Sequence, residues 1–412
     1  MTSTPIEIDD ARRMVLERAG ALADEPVGLA DALGRVLAAD VHGADPVPAF
    51  DSSAMDGFAL RCADVSGAGP HAPVALRVAG ESRAGRPSAA QLGREEAIAI
   101  STGAMIPAGA DAVVAVEQTR SVDGRVEVLT AVAPGEYVRL AGEDICAGQR
   151  VLARGTRLGA AELGVLASLG QAEVSCVRRP RVAVITTGDE LVPAGSALTP
   201  GAIHDANAYS VPALARQLGA ELESLATVPD DAQATRRAIE DALEHADVAV
   251  ICGGVSVGAH DHVRPSLAAL GADEHFWGVA LRPGKPTWFG TRGATLVFGL
   301  PGNPVSAMVT FTLFVAPAIN ALSGAPSGLR RTTATLTRDY AKAPGRAHAV
   351  RCRLALGEHG WRAEPTGDQR SHILTSMLGA DALAIIPTAS GDVHAGEQVE
   401  VALLPHGWPG VG

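Results

Sequence analysis

A chain of 412 residues with 47% hydrophobic and 19% charged residues has the composition of a folded protein of two or three domains and excludes an extended disordered one. Its formal net charge of −12 excludes broad attraction to nucleic acid or to an anionic membrane, so an anionic ligand would need a local cationic or metal-containing site. The first segment, MTSTPIEIDDARRM, carries acids where a secretory signal would carry a basic flank, and the five scattered cysteines (Cys62, Cys146, Cys176, Cys252, Cys352) form no CxxC pair, which reads as reduced core thiols in a cytoplasmic protein.

Residues 1–45 read as helical, with apolar spacing in ARRMVLERAGAL and GLADALGRVLAAD. Residues 46–140 change to short apolar runs broken by Gly and Pro, the pattern of an inserted β-rich lobe. Residues 141–180 return to a helical stretch, AAELGVLASLG, and belong with 1–45 as one helical or mixed lobe.

From 181 to 328 the rhythm is strand, helix, strand, helix. RVAVITTGDE and DVAVICGG are apolar runs of the buried parallel type, and helices NAYSVPALARQLGAE and AQATRRAIEDALEHA lie between them. This alternation predicts a central doubly wound parallel α/β domain, whose ligands bind at the carboxyl ends of the strands. The apolar run 307–322 contains Pro317 and Asn320 and is short for a bilayer, so a buried helix is expected. Residues 329–412 return to short strands, a compact, barrel-like β domain. The expected class is therefore a multidomain α/β plus β chain.

The loops at the strand ends are TTGDE, VPDD, CGGVSVGAHD and GLPGNP. Gly253, Gly254, Ser256 and Gly258 form a turn able to cradle a phosphate on backbone N–H groups. The Lys-Ser/Thr of a nucleotide P-loop is missing, and the loop ends on Asp261 instead. Glu190, Asp230 and Asp261 on one rim make sense around a divalent cation, and Mg²⁺ completes its shell with water and substrate phosphate. LRPGKP supplies positive charge through Arg282 and Lys285. Only two of the 34 basic residues are lysine, Lys285 and Lys342, so a Lys kept in a Pro/Gly frame is a candidate for a specific task. Pro301 and Pro304 stiffen the turn before an apolar helix, and GEDICAG adds the pair Glu143 and Asp144. His260 and His262 beside Asp261 lack partners at zinc spacing, no GxGxxG follows the first α/β strand, and a Ser–His–Asp hydrolase is weaker still.

Seven blocks, FDSSAMDGFAL, STGAMIPAGADAVV, GEDICAG, VAVITTGDELV, CGGVSVGAHD, LRPGKP and GLPGNPVSA, occur in the order seen in molybdopterin molybdenumtransferases. The chain thus resembles the MoeA family over nearly its whole length; eukaryotic relatives include a domain of gephyrin. The resemblance implies insertion of molybdate into adenylylated molybdopterin, with Mg²⁺-dependent cleavage of the adenylate and release of AMP. It implies an elongated homodimer whose cleft lies between the α/β domain and the partner's N-terminal lobes, with contact to the molybdopterin adenylyltransferase a further expectation. Asp56, Thr102 and Asp144 match functional positions of the first lobes, Glu190, Asp230 and Asp261 the acidic rim, and Arg282, Lys285, Pro301, Pro304 and Ser371 the remaining cleft. Some relatives carry lysines where this chain has Gly278 and Arg282. The competing readings are the adenylyltransferase itself and a non-catalytic gephyrin-like scaffold.

Overall fold

The computed structural model describes residues 5–255 and 261–404. The first helix, Ile8–Leu16, has Asp9 and Asp10 in its first turn and Arg13 in its last, the charge order that the helix dipole favours. Its apolar face (Ile8, Ala11, Val15) is buried in one core with Phe314 and Ile319 of the long helix Pro304–Leu322. The N-terminal helix therefore belongs to the α/β core.

The helix expected over GLADALGRVLAAD does not form. Asp24–Gly28 is a strand paired antiparallel with Glu173–Val177, Leu29–Asp31 makes a single tight turn, and Val36–Leu37 joins the same partner strand. Gly34, at φ 75°, breaks the helical run. Val27 and Leu37 then face Leu158, Leu166 and Val174 in a small separate core, so tertiary pairing overrides helical spacing. The predicted helix of the second segment does form, Ala160–Ser168. Arg150–Leu152 pairs with Val41–His42, which ties residues 141–180 to the first segment.

Between these segments lies a six-stranded sheet in the order Ala112–Ala115, Gly57–Leu60, Glu96–Ile100, Val74–Ser82, Arg125–Val128, Thr119–Val122. Phe58, Leu60, Leu76, Ala97, Val114 and Val126 fill its core.

The central sheet is doubly wound with a mixed edge. Glu221–Val228, Arg181–Thr187, Val248–Cys252 and Thr295–Leu300 are mutually parallel in that spatial order. Trp288–Arg292 then runs antiparallel, followed by Asp273–Trp277. The three inner parallel strands, Arg181–Thr187, Val248–Cys252 and Thr295–Leu300, are buried on both faces, which explains their apolar runs, whereas the edge strand Glu221–Val228 alternates between exposed and half-buried residues.

The helix Pro304–Leu322 is long and apolar enough to cross a membrane, but most of it is buried in the protein core. Its middle, Phe311–Val315, opens into a π-turn just before Pro317, whose missing N–H would orphan a carbonyl in a regular helix. Of the cysteines, Cys176, Cys252 and Cys352 are core thiols, whereas Cys146 is exposed and Cys62 half-buried.

The last domain closes on itself. Ala347–Gly357, Gly360–Pro365, Arg331–Leu336, Gln398–Leu403 and Ala382–Ile386 form a five-stranded ring, the last pairing back with the first. One short strand ties this barrel to the α/β domain: Leu281–Arg282 pairs in parallel with Ala347–His348. That strand begins LRPGKP, so the linkage positions the site.

Candidate functional site

The carboxyl ends of the parallel strands meet in a tight cradle. A Cβ added at Gly253 would lie 2.7 Å from Thr187 Oγ1 and 2.8 Å from the Thr187 carbonyl oxygen, and one added at Gly302 would lie 3.6 Å from the Gly253 Cα. Only glycine fits at 253 against Thr187, and Gly302 lies in ordinary contact behind it. The Gly253 N–H donates to the Leu300 carbonyl at 3.0 Å, and the indole of Trp277 donates to the Val255 carbonyl at 2.9 Å. Ser256 and Gly258, along with His260, lie outside the described residues. GVSVG, residues 254–258, has the letter spacing of a nucleophile elbow. Among the described residues the next helix begins at Val263, and the serine of that spacing lies outside them.

Two buried polar atoms of this cradle, Thr187 Oγ1 and Asn207 Oδ1, have no hydrogen-bond partner among the described residues. Burying such atoms unpaired costs roughly 1–3 kcal/mol each, a cost that a polar ligand would remove. Asn207 is anchored by its amide, which donates to the Gly302 carbonyl at 2.7 Å. Beside it Asp205, buried, accepts from Thr186 Oγ1 at 2.5 Å and from the Ala208 N–H at 3.0 Å. Neither Asp205 nor Asn207 was expected from the sequence, although Asp-Ala-Asn before an apolar run has the form of a helix start.

The acidic rim is only partly assembled. The Asp230 N–H donates to Asp189 Oδ1 at 3.0 Å, which stitches the loops of Glu190 and Asp230 together. Asp231 is spent as the cap of helix Ala232–His245, accepting from Gln233 and Ala234 at 3.0 and 2.8 Å. The Glu190 carboxylate folds back over its own turn, 2.3 Å from where a Gly188 Cβ would stand. Among the described residues, no three His, Cys, Asp or Glu side chains converge to hold a metal. The expected joint cage of Glu190, Asp230 and Asp261 is therefore not preassembled.

The cationic side is better defined. A cleft of about 390 Å³ is lined by Arg282, Lys285, Pro301, Asn303, Arg346 and Ser371, among others. Arg282 and Lys285 come from the strand and turn pinned to the barrel, Pro301 and Asn303 from the turn before the long helix, and Arg346 and Ser371 from the barrel itself. Asn303 Nδ2 reaches Ser371 Oγ at 3.4 Å. Arg370 also borders the cleft but is held by Asp368, Nε to Oδ2 at 2.7 Å. Pro304 is the first residue of the helix, whose N-terminal amides favour anions. Arg346 was missed in the sequence, yet APGRAH repeats the Pro-Gly-basic form of LRPGKP.

Behind the cations sits His348, whose ring nitrogen Nδ1 meets the Tyr340 hydroxyl at 3.0 Å. Burial first, then Arg282, Lys342 and Arg346, push its pKa down to about 4. An imidazole depressed in the fold contributes stability above its unfolded pKa of about 6.5, and that contribution fades as pH falls from there toward 4. Folding stability is expected to drop by about 2 kcal/mol across that window, and His348→Gln to flatten the drop. Urea denaturation at pH 7.5 and 4.5 measures both; parallel pH curves would refute the assignment.

Asp56, Thr102 and Asp144 lie apart from the cleft of their own chain. Asp56 Oδ1 accepts from the Thr102 N–H at 2.7 Å, so these two meet. The Asp144 N–H donates to the Val47 carbonyl at 3.1 Å, on the neighbouring loop. None of the three lines the cationic cleft.

Comparison with known proteins covers the whole chain. Three family models match in sequence: MoeA N-terminal region (domain I and II) over residues 6–170, probable molybdopterin binding domain over 183–321, and MoeA C-terminal region (domain IV) over 333–404. A relative from Haemophilus influenzae, named molybdopterin molybdenumtransferase, is 37% identical over 406 residues, 97% of this chain and 99% of that one. One of the same name from Nostoc is 38% identical over 388 residues, 92% of this chain and 89% of the other. The crystal structure of a molybdopterin biosynthesis MoeA protein from Pyrococcus horikosii superposes with a TM-score of 0.84 at 34% identity, covering 98% of this chain and all of that one. Matched along its full length, the chain belongs to the MoeA family of molybdopterin molybdenumtransferases.

Proposed function

We propose that the chain inserts molybdate into the dithiolene of adenylylated molybdopterin, cleaving the adenylate and releasing AMP and molybdenum cofactor. The observation that carries this reading is one turn that serves two walls. Gly302 closes the glycine cradle against Gly253 and accepts from Asn207, while its neighbours Pro301 and Asn303 line the cationic cleft. A phosphate-bearing ligand in the cradle and an oxyanion in the cleft would thus lie side by side.

Each wall has a distinct task. Arg282 and Arg346 present forks to an oxyanion, Lys285 a compact point charge. Together they neutralise molybdate and the developing charge on the leaving phosphate, in a chain otherwise repellent to both. Thr187 and Asn207 supply the unpaired polar atoms that fix the pterin ligand's orientation.

The carboxylates fit Mg²⁺ in chemistry, being hard oxygen donors beside the unpartnered Thr187 hydroxyl, and Mg²⁺ needs only one or two protein carboxylates. Glu190, Asp230 and Asp261 are the residues that would hold it, and it would supply charge neutralisation to the adenylate phosphate. Removal of divalent cations with EDTA is expected to stop AMP release and added Mg²⁺ to restore it; unaltered release in EDTA would exclude the metal.

The reading extends to the assembly. The expected lobes of 1–45 with 141–180, 46–140, 181–328 and 329–412 act as units in a cytoplasmic homodimer, except that the first helix of 1–45 goes with the α/β core. Asp56, Thr102 and Asp144 reach the cleft of the partner, consistent with their absence from the lining of their own. The adenylylated substrate comes from contact with the molybdopterin adenylyltransferase. The deciding assay supplies adenylylated molybdopterin, molybdate and Mg²⁺, then follows AMP release and molybdenum retention. Absence of both would overturn the reading, and ATP consumption with free molybdopterin would move the chain to the adenylyltransferase.

A further inference from the structure

Far from the strand-end cradle, the N-terminal lobe, the α/β domain and the barrel meet around a second cleft of about 480 Å³. Arg157 and Arg179 come from the N-terminal lobe, Arg216 from the end of helix Asn207–Gln217, and Arg330 from the entry to the barrel. No Asp or Glu stands among its described lining residues. Four guanidinium groups around one space, in a chain of net charge −12, are an arrangement that needs its own explanation.

The neighbouring arginines show how this fold neutralises such groups when it only needs them for structure. Arg35 pairs with Glu25, and Arg178 binds both Asp247 oxygens at 2.7 Å. In the cleft, by contrast, Arg157 donates to the Gly34 carbonyl at 2.8 Å and to Asn320 Oδ1 at 3.4 Å, both neutral. Arg179 donates to the Gly219 carbonyl at 3.1 Å, with Glu221 only at the limit of pairing, 3.9 Å. A methyl placed on Gly219 would meet Arg157 Nη1 at 3.4 Å and Arg179 Nη1 at 3.8 Å. The two like charges therefore converge on one point, which an anion between them would relieve. Its lining also includes the apolar Pro317, Leu329 and Leu403.

The geometry points to a binding site for a phosphate monoester in this cleft, its phosphate held by Arg157, Arg179 and Arg216 and its organic body against Pro317 and Leu329. Guanidinium forks match phosphate oxygens two at a time, and the cavity falls within the range of small-ligand sites and exceeds a bare phosphate.

Isothermal titration of the full chain with AMP and, separately, with inorganic phosphate tests this. The wild-type chain, Lys285→Ala, and the double variant Arg157→Gln/Arg179→Gln are compared; glutamine keeps a donor for Gly34 and Gly219. AMP is expected to occupy this site with wild-type affinity in Lys285→Ala, where only binding at the strand-end cleft is weakened, to occupy it at least tenfold more weakly in the double variant, and to bind it more tightly than phosphate. If the double variant misfolds by circular dichroism, Arg216→Gln, on an exposed helix end, takes its place with an expected loss of threefold or more. Unchanged affinity in the arginine variants, or loss in Lys285→Ala alone, would overturn the site. Equal affinity for AMP and phosphate would overturn the monoester assignment.

Discussion

Lys285→Ala is expected to slow molybdenum insertion on the order of 100-fold or more, with the fold intact. Removing one preorganised electrostatic partner from a reacting oxyanion costs roughly 10²–10³ in rate. The side chain is exposed and lines the cationic cleft, while the structural work at this position is done by its backbone. The Lys285 carbonyl accepts from the Val279 and Thr287 N–H groups, each at 2.9 Å, and alanine keeps those bonds. Melting temperature should therefore move little, since surface truncations away from such features stay within about 0.5 kcal/mol. Lys285→Arg keeps the charge but replaces a compact ammonium with a broad planar fork, and a loss of roughly tenfold is expected. Single-turnover AMP release separates the cases. Wild-type rates in Lys285→Arg would remove the inference from lysine scarcity; wild-type rates in Lys285→Ala would remove the cleft.

Scarcity alone does not mark a ligand group, and the structure shows why. The other lysine, Lys342, is no ligand group. It is buried at 4% exposure, and its ammonium donates to the Ser390 carbonyl at 2.6 Å and the Thr388 carbonyl at 3.3 Å, with burial pulling its pKa down. A compact ammonium fits that carbonyl nest where a guanidinium would not. Rarity marked positions at which arginine cannot substitute, without distinguishing a buried staple from a binding group. The distinction lay in long-range packing, between residues 342 and 390.

Local signals carried the α/β domain because its inner strands are buried on both faces and its loops hold close-packed glycines, both legible in short windows. They failed where pairing was remote. GLADALGRVLAAD has helical spacing, but its strand partner lies at Glu173–Val177. The barrel strand Gly360–Pro365, with Trp, Arg, Glu and Pro in six positions, has no strand signature until its neighbours are known. Among the acids the sequence named Glu190, Asp230 and Asp261, while their neighbours Asp231 and Asp189 are taken by backbone hydrogen bonds, one as a helix cap and the other as a loop stitch. Which member of an acidic pair stays free for a ligand is decided by turn geometry, to which residue type alone is blind.

Gly253→Ala is expected to impair both folding and turnover, and the two losses have separable causes. The residue sits at φ 99°, beyond the left-handed region that alanine tolerates, so backbone strain of order 1–3 kcal/mol applies. The added methyl would also press on the Thr187 hydroxyl and carbonyl at 2.7 and 2.8 Å. A carbonyl within a buried strand end cannot yield, so the three-segment contact must open. Gly124→Ala isolates the first cause: φ is 76° there and nothing stands within 4 Å of the new methyl, so a loss of about 1 kcal/mol without kinetic effect is expected. Gly253→Ala should lose clearly more in chemical denaturation. Its AMP release should also fall more than tenfold, because Gly302, and with it Pro301 and Asn303 in the cationic cleft, is displaced from the ligand. Equal stability losses in the two variants would mean the cradle is looser than its distances imply. Normal AMP release from a destabilised Gly253→Ala chain would separate the cradle from the chemistry altogether.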